Sequence, residues 1–463
     1  MERRYEHPLE RLGPSTTNEK ATHVSLDRWP NKMASKSSLG FAGLQLASAT
    51  SRITHPKVKS MSLSSLETPV EREATVANIL GLGTAVPVHS IAQRDAAIVA
   101  QQLHLSERWK DALPALYRKS GVQRRGSVLL GPEDLQVTER QNFYQPASVA
   151  QPYGPSTADR MKVFSQHAGP MLQRACVTAM DNSGQTISNI THLVTVSCTG
   201  FFAPGVDIAL IESLGLDSNI QRTHVGFMGC HGALNGIRIA KAIVDATPSA
   251  VVLLGAVELC SLHQQYTDDA QQLVANALFA DGAAALVVGV PNKNALSQEI
   301  NPIASTPATS QWSVVSTLSK WIPKTTSLMS WTIGDHGFRM TLDPQVPNVI
   351  EANLENEMRS WLEGQSLSIS DVDAWAIHPG GPRIIQASGK ALGLSPQSLE
   401  VSQSVLADHG NMSSPTVLFI LERLSQQRPN ANYCVLLAFG PGLCIEAVLL
   451  SSKTSSGACG FAS

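Results

Sequence analysis

The sequence predicts an α/β protein built from two halves with a common rhythm, preceded by a segment of different character. Three observations carry this reading. From Val76 onward, short apolar runs closed by Gly or Pro alternate with longer helix-like stretches. Each half ends on an apolar strand, a Gly-containing turn and another strand: LLGAVE…FADGAAALVVGV, then VLLAFGPGLCIEAVLL. Of the 463 residues 43% are hydrophobic and 16% charged, which is ample for a large core.

Taken in order, VANILGLGTAVP reads as the first strand and HSIAQRDAAIVAQQL as the helix after it. Further strands are predicted at 192–198, 223–229, 250–258 and 283–290, with helices over 205–214, 232–246 and 269–279. In the second half AWAIHPGG (374–381) reads as a strand and RIIQASGKALG as a helix. SSPTVLFILERLSQQ is a longer helix, and YCVLLAFGPGLCIEAVLLS a closing hairpin. The parallel predicts an internal duplication of strand–helix layers with a site at the seam. The halves are expected over 75–295 and 296–452.

Residues 1–74, rich in Ser, Thr, Lys and Arg, show little apolar period and are expected to form a disordered extension. Arg3, Arg4 and Arg11 suit a mitochondrial presequence, but Glu2, Glu6 and Glu10 count against one. Residues 453–463 read as a mobile tail, with Cys459 one position away from a prenylation signal.

A formal net charge of −2 offers no basic face for phosphates, so no nucleic-acid partner is expected. No apolar run reaches the roughly 18–20 residues that span a bilayer. Seven cysteines, an odd number without a C-x-x-C pair, form neither a disulfide framework nor a clustered zinc site. The expected setting is a reducing cytoplasm, with no metal.

Three cysteines lie near predicted strand ends: Cys198, Cys230 and Cys260. A nucleophile must reach the thiolate form, which the N–H groups at a helix start favour. Cys230 follows THVGFMG and opens HGALNGIRIAKAIVDA, whereas Cys198 precedes the loop TGFFAPG and Cys260 lies near Glu258. Position therefore favours Cys230, although cysteine is often a small buried hydrophobe. A thiolate in acyl transfer needs a base and oxyanion donors. His378 ends the apolar strand before PGGP, and Asn411 sits in DHGNMSSP just before a helix. Taken singly, each reads more readily as a core histidine and a helix cap. His231 adjoins Cys230, but adjacent helical residues point apart. Cys260 and His263 have C-x-x-H spacing without a matching pair, and His409 reads as a turn residue.

GCHGA around Cys230, ALFADGAAALVVG (277–289), WAIHPGGP (375–382), GNMSSPTVLFIL (410–421) and FGPGL (439–443) occur in this order. With them the chain resembles type III polyketide synthases, the chalcone-synthase-like enzymes, and most closely fungal and bacterial members, over about residues 76 to 451. The resemblance implies a thiolase-like fold: two duplicated halves forming a five-layer αβαβα core, paired as a homodimer. It implies Cys230 as nucleophile, completed by His378 and Asn411, with the thiolate paired to a protonated imidazole.

Other positions carry over individually. Phe279 matches the gatekeeping Phe, Met340 stands for a second one, and Gly440, Pro441 and Gly442 match the loop shaping the cyclisation cavity. Cys198 and Thr199 stand where plant enzymes carry a pocket threonine and serine. Cys260 and His263 replace two pocket threonines, and Ala203 replaces the methionine that crosses the plant dimer. Lys119, with Arg383, matches the coenzyme A contacts. The resemblance implies acyl-CoA and malonyl-CoA as substrates, no carrier protein and no bound cofactor. Small residues at Thr199, Ala203 and Cys260 and the missing second Phe point to a medium- or long-chain fatty acyl starter and alkylpyrone or alkylresorcinol products. The alternatives are a single condensation, as in ketoacyl carrier-protein synthases, and a catalytically silent scaffold of the same fold.

Overall fold

Alternate residues of a strand face opposite sides of its sheet, so a strand apolar at every position must be buried on both faces. Val252–Leu259 and Asp281–Gly289, apolar except for Glu258 and Asp281, are buried at every position. The computed structural model describes residues 76–103, 107–291 and 312–453. The expected extension over 1–74 and all but the first residue of the tail lie outside the described residues.

The strands run in chain order β1 (Asn78–Ala85), β2 (Ser90–Ala92), β3 (Arg124–Gly126), β4 (His192–Ser197), β5 (Gln221–Gly226), β6 (Val252–Leu259) and β7 (Asp281–Gly289). They continue as β8 (Trp312–Trp321), β9 (Met329–Gly334), β10 (Gly337–Leu342), β11 (Ala374–Ile377), β12 (Tyr433–Gly440) and β13 (Cys444–Ser451). The helices are α1 (Gln93–Gln102), α2 (Glu107–Lys119), α3 (Thr157–Ser183), α4 (Val206–Leu214) and α5 (Gly232–Ala246). After them come α6 (Ala270–Leu278), α7 (Val346–Glu363), α8 (Pro382–Ala391), α9 (Pro396–His409) and α10 (Thr416–Gln427).

Nine strands form one sheet in the order β11-β12-β13-β8-β1-β7-β6-β4-β5. Its centre is the antiparallel β1–β8 contact, Asn78 opposite Ser313 and Ile79 opposite Trp312. Moving outward from that seam, both sides repeat one pattern. The first strand of the half pairs antiparallel with its last strand (β1 with β7, β8 with β13). The last strand pairs antiparallel with the one before it (β6, β12), which lies parallel to the next (β4, β11). This shared order is the internal duplication in backbone form.

The core shows the layers. Val194, Val196, Leu254, Ala256, Leu286 and Val288 share one cluster with Ala376, Leu436, Val448 and Leu450 of the other half. Their odd-parity neighbours Leu193, Leu253, Val257 and Val287 face an outer cluster with α3. In the second half Trp375, Ile377, Val435 and Leu437 face another outer cluster with α7. The inner space holds α5, packed on β4, β6 and β13, and α10, packed on β11, β12, β1 and β7. The result is the expected five layers, helix–sheet–helix–sheet–helix. Each fully buried Leu or Val contributes roughly 1.5–3 kcal/mol.

The longest helix, α3, begins with a capping box between Ser156 and Asp159 and ends at Gly184 in the left-handed conformation. No helix among the described residues is long and apolar enough to cross a membrane.

Candidate active site

The end of β5 leads into a tight turn, with Phe227 at φ 60° and Gly229 at φ 80° on either side of Met228. A β-carbon on Gly229 would lie 2.4 Å from Pro441 Cδ, so this turn accepts only glycine. Gly229 N–H donates to Cys198 Sγ at 3.0 Å. A single 3-10 turn, Gly229–His231, then enters α5 and places Cys230 at the helix start.

The partners of Cys230 come from the other half. His378 follows β11, and its N–H bonds Leu437 O at 2.8 Å, extending the strand register by one residue. Its ring is 1% exposed, and neither ring nitrogen has a protein partner. Asn411 is held by backbone on both sides of Phe279: its N–H donates to Leu278 O (2.8 Å) and its C=O accepts from Ala280 N–H (2.9 Å). Asn411 Oδ1 accepts Ser413 N–H at 2.8 Å, which leaves its NH₂ to hydrogen-bond the Cys230 thiol. Ser413, itself at φ 56°, donates its hydroxyl to Cys230 Sγ at 3.6 Å. Backbone strain on both sides of the nucleophile is the kind found where geometry serves function. Cys230, His378, Asn411 and Phe279 line one cavity of about 20 Å3.

Electrostatics in this cavity favour neutral groups. Burial pushes the Cys230 thiol up to about 11, with a further push from Glu258, opposed by the Ser413 and Asn411 hydrogen bonds. Burial first, and then nearby His231, pull His378 down to about 3. Burial thus favours the neutral thiol and imidazole, while the Ser413 and Asn411 donors favour the thiolate of the thiolate–imidazolium pair that the resemblance implies.

Below the nucleophile lies Glu258, fully buried. Its carboxylate accepts from Ser414 Oγ (2.7 Å), Thr199 Oγ1 (2.7 Å), Cys198 N–H (2.9 Å) and Ser197 Oγ (3.3 Å). Burial raises it to about 7 despite those donors.

Two models of one family match nearly the whole described chain. "Chalcone and stilbene synthases, N-terminal domain" covers residues 66–291 and the corresponding C-terminal domain covers 313–454. The chain belongs to the chalcone and stilbene synthase family. It is a type III polyketide synthase, an acyltransferase that condenses acyl-CoA with malonyl-CoA. It is 33% identical over 384 residues (82% of this chain, 92% of the relative) to the alpha-pyrone synthesis polyketide synthase-like Pks18 of Mycobacterium tuberculosis. It is 32% identical over 398 residues (85% and 97%) to the 1,3,6,8-tetrahydroxynaphthalene synthase of Streptomyces peucetius subsp. caesius. Among solved structures, PKS-I from the brown alga Ectocarpus siliculosus superposes with TM-score 0.72 at 29% identity, covering 82% of this chain and 99% of that one.

In this synthase Phe279 and Met340 both line the cavity of Cys230. Other expected pocket residues lie elsewhere. Cys198 is buried beneath the Gly229 turn, and burial followed by the Glu258 charge holds its thiol well above the usual range. The Thr199 hydroxyl is spent on Glu258 and on Leu259 N–H (2.9 Å). Ala203 is exposed in the chain. His263 accepts Phe338 N–H at Nδ1 (3.0 Å), so Nε2–H donates to Thr199 O (2.7 Å). Stacked on Phe338 at 4.2 Å and pulled to about 3 by burial, it is a neutral structural histidine.

Gly440 and Pro441 press on the nucleophile turn. A β-carbon on Gly440 would lie 2.3 Å from His231 Cδ2, and Pro441 abuts Gly229. Cys260 lines a second cavity, of about 80 Å3, which shares Phe279 with the first. Lys119 and Arg383 are both exposed, and Gly121 packs on Pro382 between their two segments.

Ser413, Ser414 and Trp331 were not anticipated. Trp331 Nε1–H donates to Cys198 O at 2.8 Å, and its ring stands edge-on to Phe279 at 6.1 Å. The serines adjoin Asn411 in GNMSSP, so proximity to a candidate was their only signal; Trp331 had none.

Proposed function

We propose that this synthase loads a medium- to long-chain fatty acyl-CoA on Cys230 and extends it by repeated decarboxylative condensation with malonyl-CoA. The products are alkylpyrones or alkylresorcinols, made by a homodimer in the cytoplasm. The observation carrying the starter class is the second cavity. A cavity needs about 10–15 Å3 of this measure to admit one water. The space at Cys230, about 20 Å3, therefore admits little more than that, whereas the space behind Phe279 is about 80 Å3. Ile91, Ala96, Val99 and Leu103 supply an apolar wall. Many of its polar side chains already have protein partners: Gln141 closes on Tyr144, Tyr144 on Ser261 O, and Ser261 on Asp281. Each methylene buried there contributes about 0.8 kcal/mol. One relative's name, alpha-pyrone synthesis, supports lactone release.

Cys230 passes its proton to His378, and the sulfur attacks the starter thioester carbonyl. The bond to coenzyme A sulfur breaks, and the coenzyme A thiol leaves with that proton. Malonyl-CoA then loses carbon dioxide, and the electron pair of the broken C–C bond becomes an enolate. His378 N–H and the Asn411 NH₂ hold its oxygen, each such donor being worth roughly 3–4 kcal/mol. The enolate carbon attacks the Cys230 thioester and returns the sulfur. Phe279 supplies an apolar wall that disfavours the carboxylate.

For the dimer, support comes from Phe201, Phe227 and Met228, apolar and 36–39% exposed beside the nucleophile turn. The test of the function is incubation with an acyl-CoA length series and malonyl-CoA, followed by mass analysis. Ring products from long starters support it. A single β-keto thioester supports the one-condensation alternative, and no product supports the scaffold.

A further inference from the structure

We propose that Arg125 is a positioning residue: from outside the Cys230 cavity it fixes Phe279 and, through it, Asn411. The inference rests on the condensation reading given above. It starts from the C-terminal end of α6, where the last carbonyls of a helix need partners from elsewhere. Every carbonyl there has one. Ala275 O accepts Phe279 N–H (3.0 Å), and Asn276 O accepts Arg125 Nη1 (2.6 Å). Ala277 O accepts Gln93 Nε2 (2.6 Å), Leu278 O accepts Asn411 N–H (2.8 Å), and Phe279 O accepts Arg125 Nη1 (2.8 Å). The last turn thus hangs on three outside supports: Arg125, Gln93 and the backbone of Asn411.

Arg125 is the only charged one of the three. It is 9% exposed, lies over the Tyr117 ring at 5.3 Å, and forms no ion pair among the described residues. Its two hydrogen bonds straddle the place where the chain leaves the helix. A cation at this end also suits the helix dipole. Arg125 also packs against the turn that precedes Asn411, since a β-carbon on Gly410 would lie 3.3 Å from Arg125 Cβ. Its neighbour Arg124 does none of this: it faces solvent and bonds Glu133 and Ser90. Arg125 makes no contact with Cys230 and lines the second cavity rather than that of Cys230, so malonyl-CoA decarboxylation, which needs no starter, isolates its effect on Phe279 and Asn411. Its effect therefore falls on the step that uses Asn411 and Phe279, namely decarboxylation, and spares the thiol.

The experiment compares wild type, Arg125→Met and Arg125→Lys in three measurements: melting temperature, iodoacetamide alkylation of Cys230, and kcat and KM for malonyl-CoA decarboxylation. Small misplacements of reacting groups cost up to about 100-fold. Arg125→Met is expected to lower kcat about 10- to 100-fold, with KM and the alkylation rate within about twofold. Arg125→Lys, which keeps a charged donor, should recover part of kcat. Parallel loss of alkylation and kcat in both variants, or unchanged kcat in both, overturns the proposal. If Arg125→Met does not fold, Arg125→Lys decides: kcat lowered with alkylation intact supports positioning, and any other pattern overturns it. Absence of decarboxylation in wild type instead overturns the condensation reading.

Discussion

Asn411 and Phe279 are locked together by backbone: the N–H and C=O of Asn411 pair with Leu278 O and Ala280 N–H on either side of the Phe279 residue. The group proposed to hold the enolate and the ring proposed to repel its carboxylate therefore cannot move independently. Asn411→Ala should lose malonyl-CoA decarboxylation by about 10²–10³-fold. Starter loading should persist, because the amide is not the proton acceptor. Carbon dioxide release and intact-mass acylation, measured on the same sample, check both halves.

Two neighbours act on the Cys230 thiol with opposite sign. Ser413 donates to the sulfur, and Glu258 faces it with a negative charge. Ser413→Ala should slow iodoacetamide alkylation of Cys230 near neutral pH, and Glu258→Gln should speed it. In wild type the rate should climb with pH without an early plateau, since burial holds the thiol near about 11. A plateau reached by pH 6 would indicate the thiolate–imidazolium pair instead.

Glu258 also links stability to pH. Its carboxyl is raised from 4.5 to about 7, so the folded chain keeps a proton that the unfolded chain releases within this window. Stability contributed by the neutral form is complete below about pH 4.5 and is lost as pH rises through about 7, on the order of 3 kcal/mol. Asp281, raised to about 6, acts in the same direction and remains in the variant. Melting temperature from pH 5 to 8 should therefore fall less steeply in Glu258→Gln than in wild type.

Starter length offers a contrast between three positions. Cys260 and Val99 line the cavity behind Phe279, and Ala203 is exposed. Val99→Trp and Cys260→Phe should cut product from long acyl-CoAs while sparing short ones, because packed interiors do not yield freely. Ala203→Phe, assayed in parallel, should keep the wild-type profile. An unchanged profile in Val99→Trp would remove the second cavity from the starter's path.

Much of this was legible in sequence where burial imposes a period. The strands ending near Ser197 and Gly289, the helix opened by Cys230 and the closing hairpin all appear close to their expected places. The long α3 escaped because Gly169 and Pro170 interrupt TADRMKVFSQHAGPMLQRACVTAMDNS, and only one of its faces is apolar. The β9–β10 hairpin escaped because Ser330, Thr332 and Arg339 keep its strands half polar. Within the site, Cys230, His378 and Asn411 stood out by position and motif. Arg125 and Trp331 did not, since their roles exist only where distant segments meet. Thr199 was read as a pocket residue, and its hydroxyl turns inward to Glu258, a pairing across 59 residues that no local pattern reveals.

The most direct test of the central assignment is mass analysis of the protein after incubation with a fatty acyl-CoA alone, followed by peptide mapping. One acyl group should be found on the peptide containing Cys230, absent from Cys230→Ala and retained in Cys198→Ala and Cys260→Ala. An acyl adduct on Cys230→Ala, or one mapped to Cys198 or Cys260 in wild type, would contradict the account.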